Sequence, residues 1–244
     1  MSTTADPTTN PTDDSRRVWR YMNFARFVWL LQKKQLWLSR ADLLGDPWEV
    51  TPSYEQVAQA RRVTWSVIEP AYPIGRNPLK EEIENWRGRT FVNCWTEQKH
   101  ESHALWRVYC GPTEGVAIRT TLARLRHSVG DLPVDRVVYR DPELRPLGRD
   151  ILLTEPLALE KLALEKRPMF AYEHEVRIIS RRPEPSSDLG YPLAWDPAKV
   201  LEYVYVHPDA DSAFMETVQE IVTQYAPPLA DRVRWSAMIV RPPC

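Results

Sequence analysis

The sequence predicts an α+β fold: a mixed, mostly antiparallel sheet with helices packed around it. Three observations lead there. Apolar residues recur with helical spacing in some stretches and strand spacing in others, in an order with no regular βαβ repeat. The 8 glycines form no Gly-x-Gly-x-x-Gly, Walker or Gly-x-Ser-x-Gly motif, which weakens Rossmann, P-loop and α/β-hydrolase alternatives. The 22 prolines fall mostly between the expected elements, where a fixed φ and a missing N–H do no harm.

Residues 1–15, rich in Thr, Pro and Asp, predict a disordered tail, and residues 16–244 fit one domain by length. Val18–Tyr21 reads as a short strand. Asn23 is placed as the N-cap of a helix in which Phe24, Phe27, Val28 and Leu31 form one apolar face. Gln35–Arg40 alternates as a half-buried strand, so the chain opens β-α-β. Ser53–Arg62 and Pro78–Arg87 read as helices, Thr90–Thr96 as a strand, Glu101–Tyr109 as a helix, and Gly115–Thr120 and Val134–Arg140 as strands. A helix over Glu155–Lys166 and a strand over Tyr172–Ser180 follow. A strand at Val200–Val206, a helix at Ala213–Tyr225 and a strand at Val233–Val240 complete the order.

The 32 basic and 33 acidic residues nearly cancel, so any polyanion site must be a local patch rather than a global field. Cys94, Cys110 and Cys244 are too sparse for a disulfide framework and point to a reducing compartment, with the cytoplasm as default. No uncharged apolar stretch approaches the roughly 20 residues of a membrane-spanning helix, so no membrane role is expected.

A set of short motifs resembles the bacterial domain-of-unknown-function family 2971. They are Arg20-Tyr21, Ser39-Arg40, Asp46-Pro47-Trp48-Glu49, Cys94-Trp95-Thr96, Trp106 with Tyr109, Gly115-Val116-Ala117-Ile118 and Tyr172-Glu173-His174-Glu175-Val176-Arg177. The likeness runs from about Trp19 to Arg177, with Gly45 where the family usually has Asn and Phe170 where Trp is common. It implies a bacterial protein and a fold, and no settled activity.

Four groups of residues are candidates for chemistry. Glu173, Glu175 and Arg177 alternate on the expected strand and so share one face, either as a solvated ion pair or as a working site. Asp46 sits in Gly-Asp-Pro turn chemistry, which explains it structurally, whereas Glu49 has no such role. Trp95, Trp106 and Tyr109 form an aromatic group suited to core packing or to stacking a nicotinamide or nucleobase. His100 and His103 lack a third ligand at a telling spacing, so no zinc site is assigned.

The leading functional expectation is an NAD-consuming, ADP-ribosyltransferase-like enzyme. Its support is an analogy of layout: such enzymes open with a strand bearing Arg or His, follow with a helix and a second strand, and carry a Glu on a later strand. Here the counterparts are Arg20, Ser39 and Glu175 or Glu173. Tyr21, Arg40, Asp46, Glu49, Trp95, Trp106, Tyr109 and Arg177 are the expected substrate-binding residues, NAD the co-substrate and a protein or nucleic acid the target. A metal-dependent nuclease, with Asp46, Glu49, Glu173 and Glu175 gathering Mg²⁺, is the alternative enzyme. A nucleotide- or protein-binding module of a stress or phage-defence system is the non-enzymatic alternative.

Overall fold

The structure is a computed structural model that describes residues 15–52, 78–141 and 161–239. The expected tail up to residue 14, the expected helix at Ser53–Arg62 and residues 155–160 of the expected helix at Glu155–Lys166 lie outside them. The fold is α+β with a mixed, mostly antiparallel sheet, as the periodicities predict. Within it, the described residues divide into two compact units. One comprises residues 15–36, 94–132 and 192–239, the other residues 37–52, 78–93, 133–141 and 161–191.

In the first unit, β1 (Arg17–Asn23) pairs antiparallel with β4 (Gly115–Thr121) along its whole length. Beyond β4 lie β10 (Tyr203–Val206), antiparallel to it, and β11 (Val233–Trp235), parallel to β10. On the other side of β1, its Val18 and Trp19 pair with Glu97 and Thr96 at the end of β3 (Thr90–Glu97). Helix α1 (Phe24–Lys33) starts where expected: the Asn23 side chain accepts the Arg26 N–H at 3.0 Å, and Lys34 ends the helix in the left-handed region. Its Phe27, Leu30 and Leu31 are buried, and Phe24 meets Phe214 of α6 (Ser212–Tyr225) edge-on at 5.1 Å. Helix α3 (His103–Tyr109) lies against the ring-bearing face of β1 and β4. There Leu105 and Trp106 share a core with Trp19, Tyr21, Ala117 and Tyr205. Gly115 is required here, because a Cβ on it would fall 2.2 Å from the Cys110 Cβ.

In the second unit, Ser39 and Arg40 of β2 (Gln35–Arg40) pair with Val92 and Phe91 of β3. Strand β8 (Glu175–Arg181) pairs antiparallel with β5 (Val134–Arg136), and the two-residue strands β6 (Val138–Tyr139) and β7 (Glu165–Lys166) run parallel. Gly45 has a φ of 89°, a conformation open to Gly and, less freely, to Asn.

Several boundaries differ from the sequence reading. The helix expected from Glu101 starts at His103, because Ser102 is its cap. The strand expected over Val134–Arg140 is broken at Val137, since the chain changes partner there. The Val137 N–H goes to the Glu175 carbonyl and the Val138 N–H to the Leu164 carbonyl. Lys166, expected at the end of a helix, lies on β7 and receives the Arg140 N–H on its carbonyl. Val200 ends a short helix, α5 (Pro197–Val200), capped by Asp196, and β10 begins only at Tyr203. Strand β11 stops at Trp235, and Ala237–Ile239 form a 3-10 turn. The largest change concerns the strand expected over Tyr172–Ser180. Pro168–Glu173 form a 3-10 turn that ends at His174, so Glu173 precedes the strand rather than belonging to it. Among the described residues no helix is long and apolar enough to cross a membrane, and Cys94 and Cys110 form no disulfide.

Candidate active site

A buried charge cluster forms in the second unit where β8, β7 and the turn after β2 meet. Arg177 is inaccessible to solvent, and all five of its N–H donors find acceptors. Its Nε donates to Glu175 Oε1 at 2.8 Å and its Nη2 to Glu175 Oε2 at 3.1 Å. The fork formed by Nη1 and Nη2 takes both oxygens of Glu49 at 2.8 and 2.9 Å, and Nη1 also donates to the Ala163 carbonyl at 2.8 Å. Lys166 bridges the remaining carboxylate: its Nζ is 2.5 Å from Glu173 Oε2 and 3.0 Å from Glu175 Oε2. The Tyr139 hydroxyl accepts the Glu175 backbone N–H at 2.7 Å.

Local conformation explains how residues of such different sequence position meet. Glu175 and Arg177 alternate on β8 and therefore share a face, as their spacing predicts. Glu173 reaches the same place by another route, because His174 adopts φ 43° and reverses the local twist between the turn and the strand. Glu49 follows the Asp46 turn, where Asp46 Oδ1 accepts the Trp48 N–H at 3.0 Å. Arg167 clamps that carboxylate at 2.8 and 3.3 Å, and Arg87 donates to the carbonyls of Pro47 and Glu49. Asp46 thus closes its turn and pairs with Arg167, and Glu49 is a partner of Arg177.

The electrostatics follow from burial and proximity. Burial by itself would lower the Lys166 pKa, but Glu175 and Glu173 outweigh it and hold the ammonium above the usual lysine range. Burial pushes the Tyr139 phenol up to about 12, so it stays neutral as an acceptor. Of the two alternatives for this group, a solvated sheet face does not hold: Glu173, Glu175 and Arg177 are all buried. Among the described residues no group of three or more His, Cys, Asp or Glu side chains is arranged to hold a metal ion. The four carboxylates proposed for Mg²⁺ are instead bridged by ammonium and guanidinium groups.

The other expected site residues are distributed as follows. Ser39 is half-buried on β2 opposite Val92. Arg40 donates to Asp42 at 2.7 Å and to the Ser186 carbonyl at 2.6 Å, pinning a loop of the second unit. In the first unit, Arg20 is half-buried on β1, where desolvation lowers its pKa to about 10, Cys94 opposes the shift and Arg26 adds to it. Tyr21 accepts the Ser102 N–H on its hydroxyl at 2.8 Å and meets Trp106 edge-on at 5.2 Å. Trp95 is buried 6.1 Å from Trp195. Trp106 is fully buried and donates to Glu101 at 3.0 Å, whereas Tyr109 is 44% exposed. Trp106 and Tyr109 therefore do not form one stacking surface. Sequence reasoning missed Lys166, Arg167 and Tyr139, whose roles arise from tertiary pairing that no local spacing encodes.

No family model matches the chain. No curated protein matches it either. A comparison with solved structures finds DarT of Thermus sp. 2.9, in complex with ADP-ribosylated ssDNA, at a TM-score of 0.40 and 12% identity. The alignment covers 93% of this chain and 95% of that one.

Proposed function

We propose that the chain is an NAD-consuming, ADP-ribosyltransferase-like enzyme whose working carboxylate is Glu175. The observation that carries this reading is a carboxylate fixed before substrate arrives: Glu175 is buried, gripped by two nitrogens of Arg177 and touched by Lys166. Loss of nicotinamide breaks the C1′–N bond, with its electron pair leaving on the ring nitrogen, and develops oxocarbenium charge on the ribose. A carboxylate already oriented stabilises that charge without reorganising during the reaction. Lys166 is the movable member, a point charge on a flexible stem shared with Glu173. Its shift toward Glu173 opens one lone pair of Glu175 Oε2 to the sugar, while Arg177 Nη2 keeps that oxygen in place. An acceptor nucleophile of the target then closes on C1′ and passes its proton to a carboxylate of the Glu173–Glu175 pair.

The test is nicotinamide release from NAD by wild type, Glu175→Gln, Glu173→Gln and Glu49→Gln, with candidate protein and nucleic-acid acceptors present and a melting curve for each. Glu49→Gln is the structural control, since it removes a carboxylate from the same guanidinium. The expected result is turnover lost in Glu175→Gln and retained in Glu49→Gln at a similar cost in stability. A wild type that releases no nicotinamide, or a fully active Glu175→Gln, overturns the reading and leaves the cluster a structural ion-pair network.

A further inference from the structure

A cleft in the first unit carries chemistry that the buried carboxylates do not use. It encloses about 260 Å³ beside the ring-bearing face of β1, β4 and β10. The register explains its floor. Trp19, Arg119 and Tyr205 line it: Arg119 of β4 lies directly between Trp19 of β1 and Tyr203 of β10, the latter outside the lining, with Tyr205 one step along the same face. The Arg119 guanidinium sits over all three rings, 4.5 Å from the Tyr203 centroid, 5.5 Å from that of Trp19 and 5.7 Å from that of Tyr205. Its Nη1 donates to the Tyr205 hydroxyl at 3.0 Å. Its buried Nε donates no hydrogen bond, although Glu202 lies 3.4 Å away as an ion pair.

The rim is cationic. Arg17 and Lys99 are exposed at the mouth of the cleft, with His100 beside them. The carboxylate in the lining, Glu101, is already engaged by the Trp106 Nε1–H, the Ser236 hydroxyl and the Ala237 N–H at 3.0, 2.6 and 2.8 Å. It is held as part of the wall. Arg17 and Lys99 at the mouth and Arg119 on the floor thus outnumber the two carboxylates beside them, Glu101 in the wall and Glu202 paired with Arg119.

We propose that this cleft binds one nucleotide unit of a single-stranded nucleic acid. Arg17 and Lys99 take the phosphate, and the base lies over the Arg119 guanidinium and the edge of Tyr205. A flat guanidinium braced on rings, its side chain 12% exposed, offers the open part of its plane as a stacking contact of the kind that unpaired bases require. The volume is just below the range of about 300–1,000 Å³ usual for drug-sized ligands, which suits one nucleotide rather than a dinucleotide. A duplex is the wrong ligand, because its bases are not available to a floor of rings. The inference is independent of the transferase reading and is tested without NAD.

The experiment is fluorescence anisotropy of labelled short DNA and RNA oligonucleotides with the full chain, at low and raised salt. The variants are Arg17→Glu, Lys99→Glu and Arg119→Met, with the exposed Lys33→Glu of α1 as a charge control. Single strands are expected to bind wild type and the Lys33 control alike. Each rim variant should weaken binding about tenfold and flatten the salt dependence by about one ion. Arg119→Met should weaken binding without flattening it as much. Arg17→Glu and Lys99→Glu keep the test sound if Arg119→Met fails to fold. The proposal is overturned by an absence of single-strand binding, by equal binding of duplex, or by rim variants that bind like wild type.

Discussion

Arg177 grips both oxygens of Glu49 from a position with no access to solvent, although the two residues are 128 apart in the chain. That pairing ties the turn after β2 to the strand that carries Glu175. Its energetic character is set by burial: desolvating both charges costs about as much as their attraction returns, so the pair contributes little net stability, yet breaking it is expensive.

The first prediction follows from that asymmetry. Arg177→Met leaves Glu49 and Glu175 buried without their partner and should destabilise the chain by roughly 3–5 kcal/mol in urea denaturation. Adding Glu49→Gln to Arg177→Met should recover part of the loss, because one stranded charge is removed with its partner. Losses that simply add would show that the two residues are not coupled.

A second prediction concerns pH. Burial pushes the Cys110 thiol up to about 12, whereas an unfolded thiol ionises near about 8.5. The unfolded chain therefore sheds this proton first, and stability falls as pH rises through that window. Lys166 has the same sign: its folded pKa is raised, so its contribution is complete below about 10.4 and is lost above it. Arg20, lowered to about 10, acts in the opposite sense, but only above that pH. Urea midpoints should be flat from about pH 7 to 8 and decline from about pH 9, by up to about 1.4 kcal/mol per pH unit for each group. Cys110→Ala should remove the first part of the decline.

How much of this was legible in the sequence varies with the range of the interaction. The Asn23 cap and part of the α1 face are local and legible: Phe27 and Leu31 are buried as expected, while Leu30 is buried in place of Phe24 and Val28. The shared face of Glu175 and Arg177 is legible too. The partners that cover that face are not legible, because nothing near β8 announces Glu49 or Lys166. Lys166 read as the end of a Leu-rich helix, and only its pairing beside Tyr139 makes it a strand residue. Arg119 was passed over for the same reason: its rings arrive from neighbouring strands through register, and the sequence around it shows only an ordinary strand.

The nuclease alternative makes a clean prediction about divalent ions. The oxygens of Glu173 and Glu175 face Lys166 and Arg177, and those of Asp46 face Arg167, so a cation would have to displace hydrogen-bonded side chains. Calorimetry with Mg²⁺ or Mn²⁺ should show no binding heat, and a chelator should leave the melting temperature unchanged. Saturable binding lost in Glu175→Gln would restore the metal reading.

Trp106 gives a test of packing against binding. It is fully buried, meets Tyr21 and His207 edge-on at 5.2 and 5.1 Å, and donates to Glu101. Trp106→Ala should cost about 3–5 kcal/mol through lost burial and the cavity left behind. Trp106→Phe keeps most of the ring contact and loses the hydrogen bond, so it should cost clearly less. A Trp106→Ala chain that melts like wild type would contradict the core placement.

The last prediction concerns His174, whose backbone lets Glu173 and Glu175 converge. Its φ of 43° lies in the left-handed region, which costs an L-residue with a Cβ roughly 1–2 kcal/mol and costs Gly almost nothing. The side chain is exposed, so its removal forfeits little packing. His174→Gly should therefore be neutral or stabilising by up to about 1 kcal/mol, part of the relief being offset by the greater freedom of Gly in the unfolded chain. His174→Val should be destabilising by more than about 1 kcal/mol, because a β-branched residue tolerates this region least. If the turn serves only to hold Lys166 between the two carboxylates, His174→Gly should leave any NAD turnover intact while His174→Val reduces it. Paired denaturation curves and nicotinamide assays on the two variants decide this, and a Val variant as stable as the Gly variant would show that the left-handed turn is not what sets the geometry of the cluster.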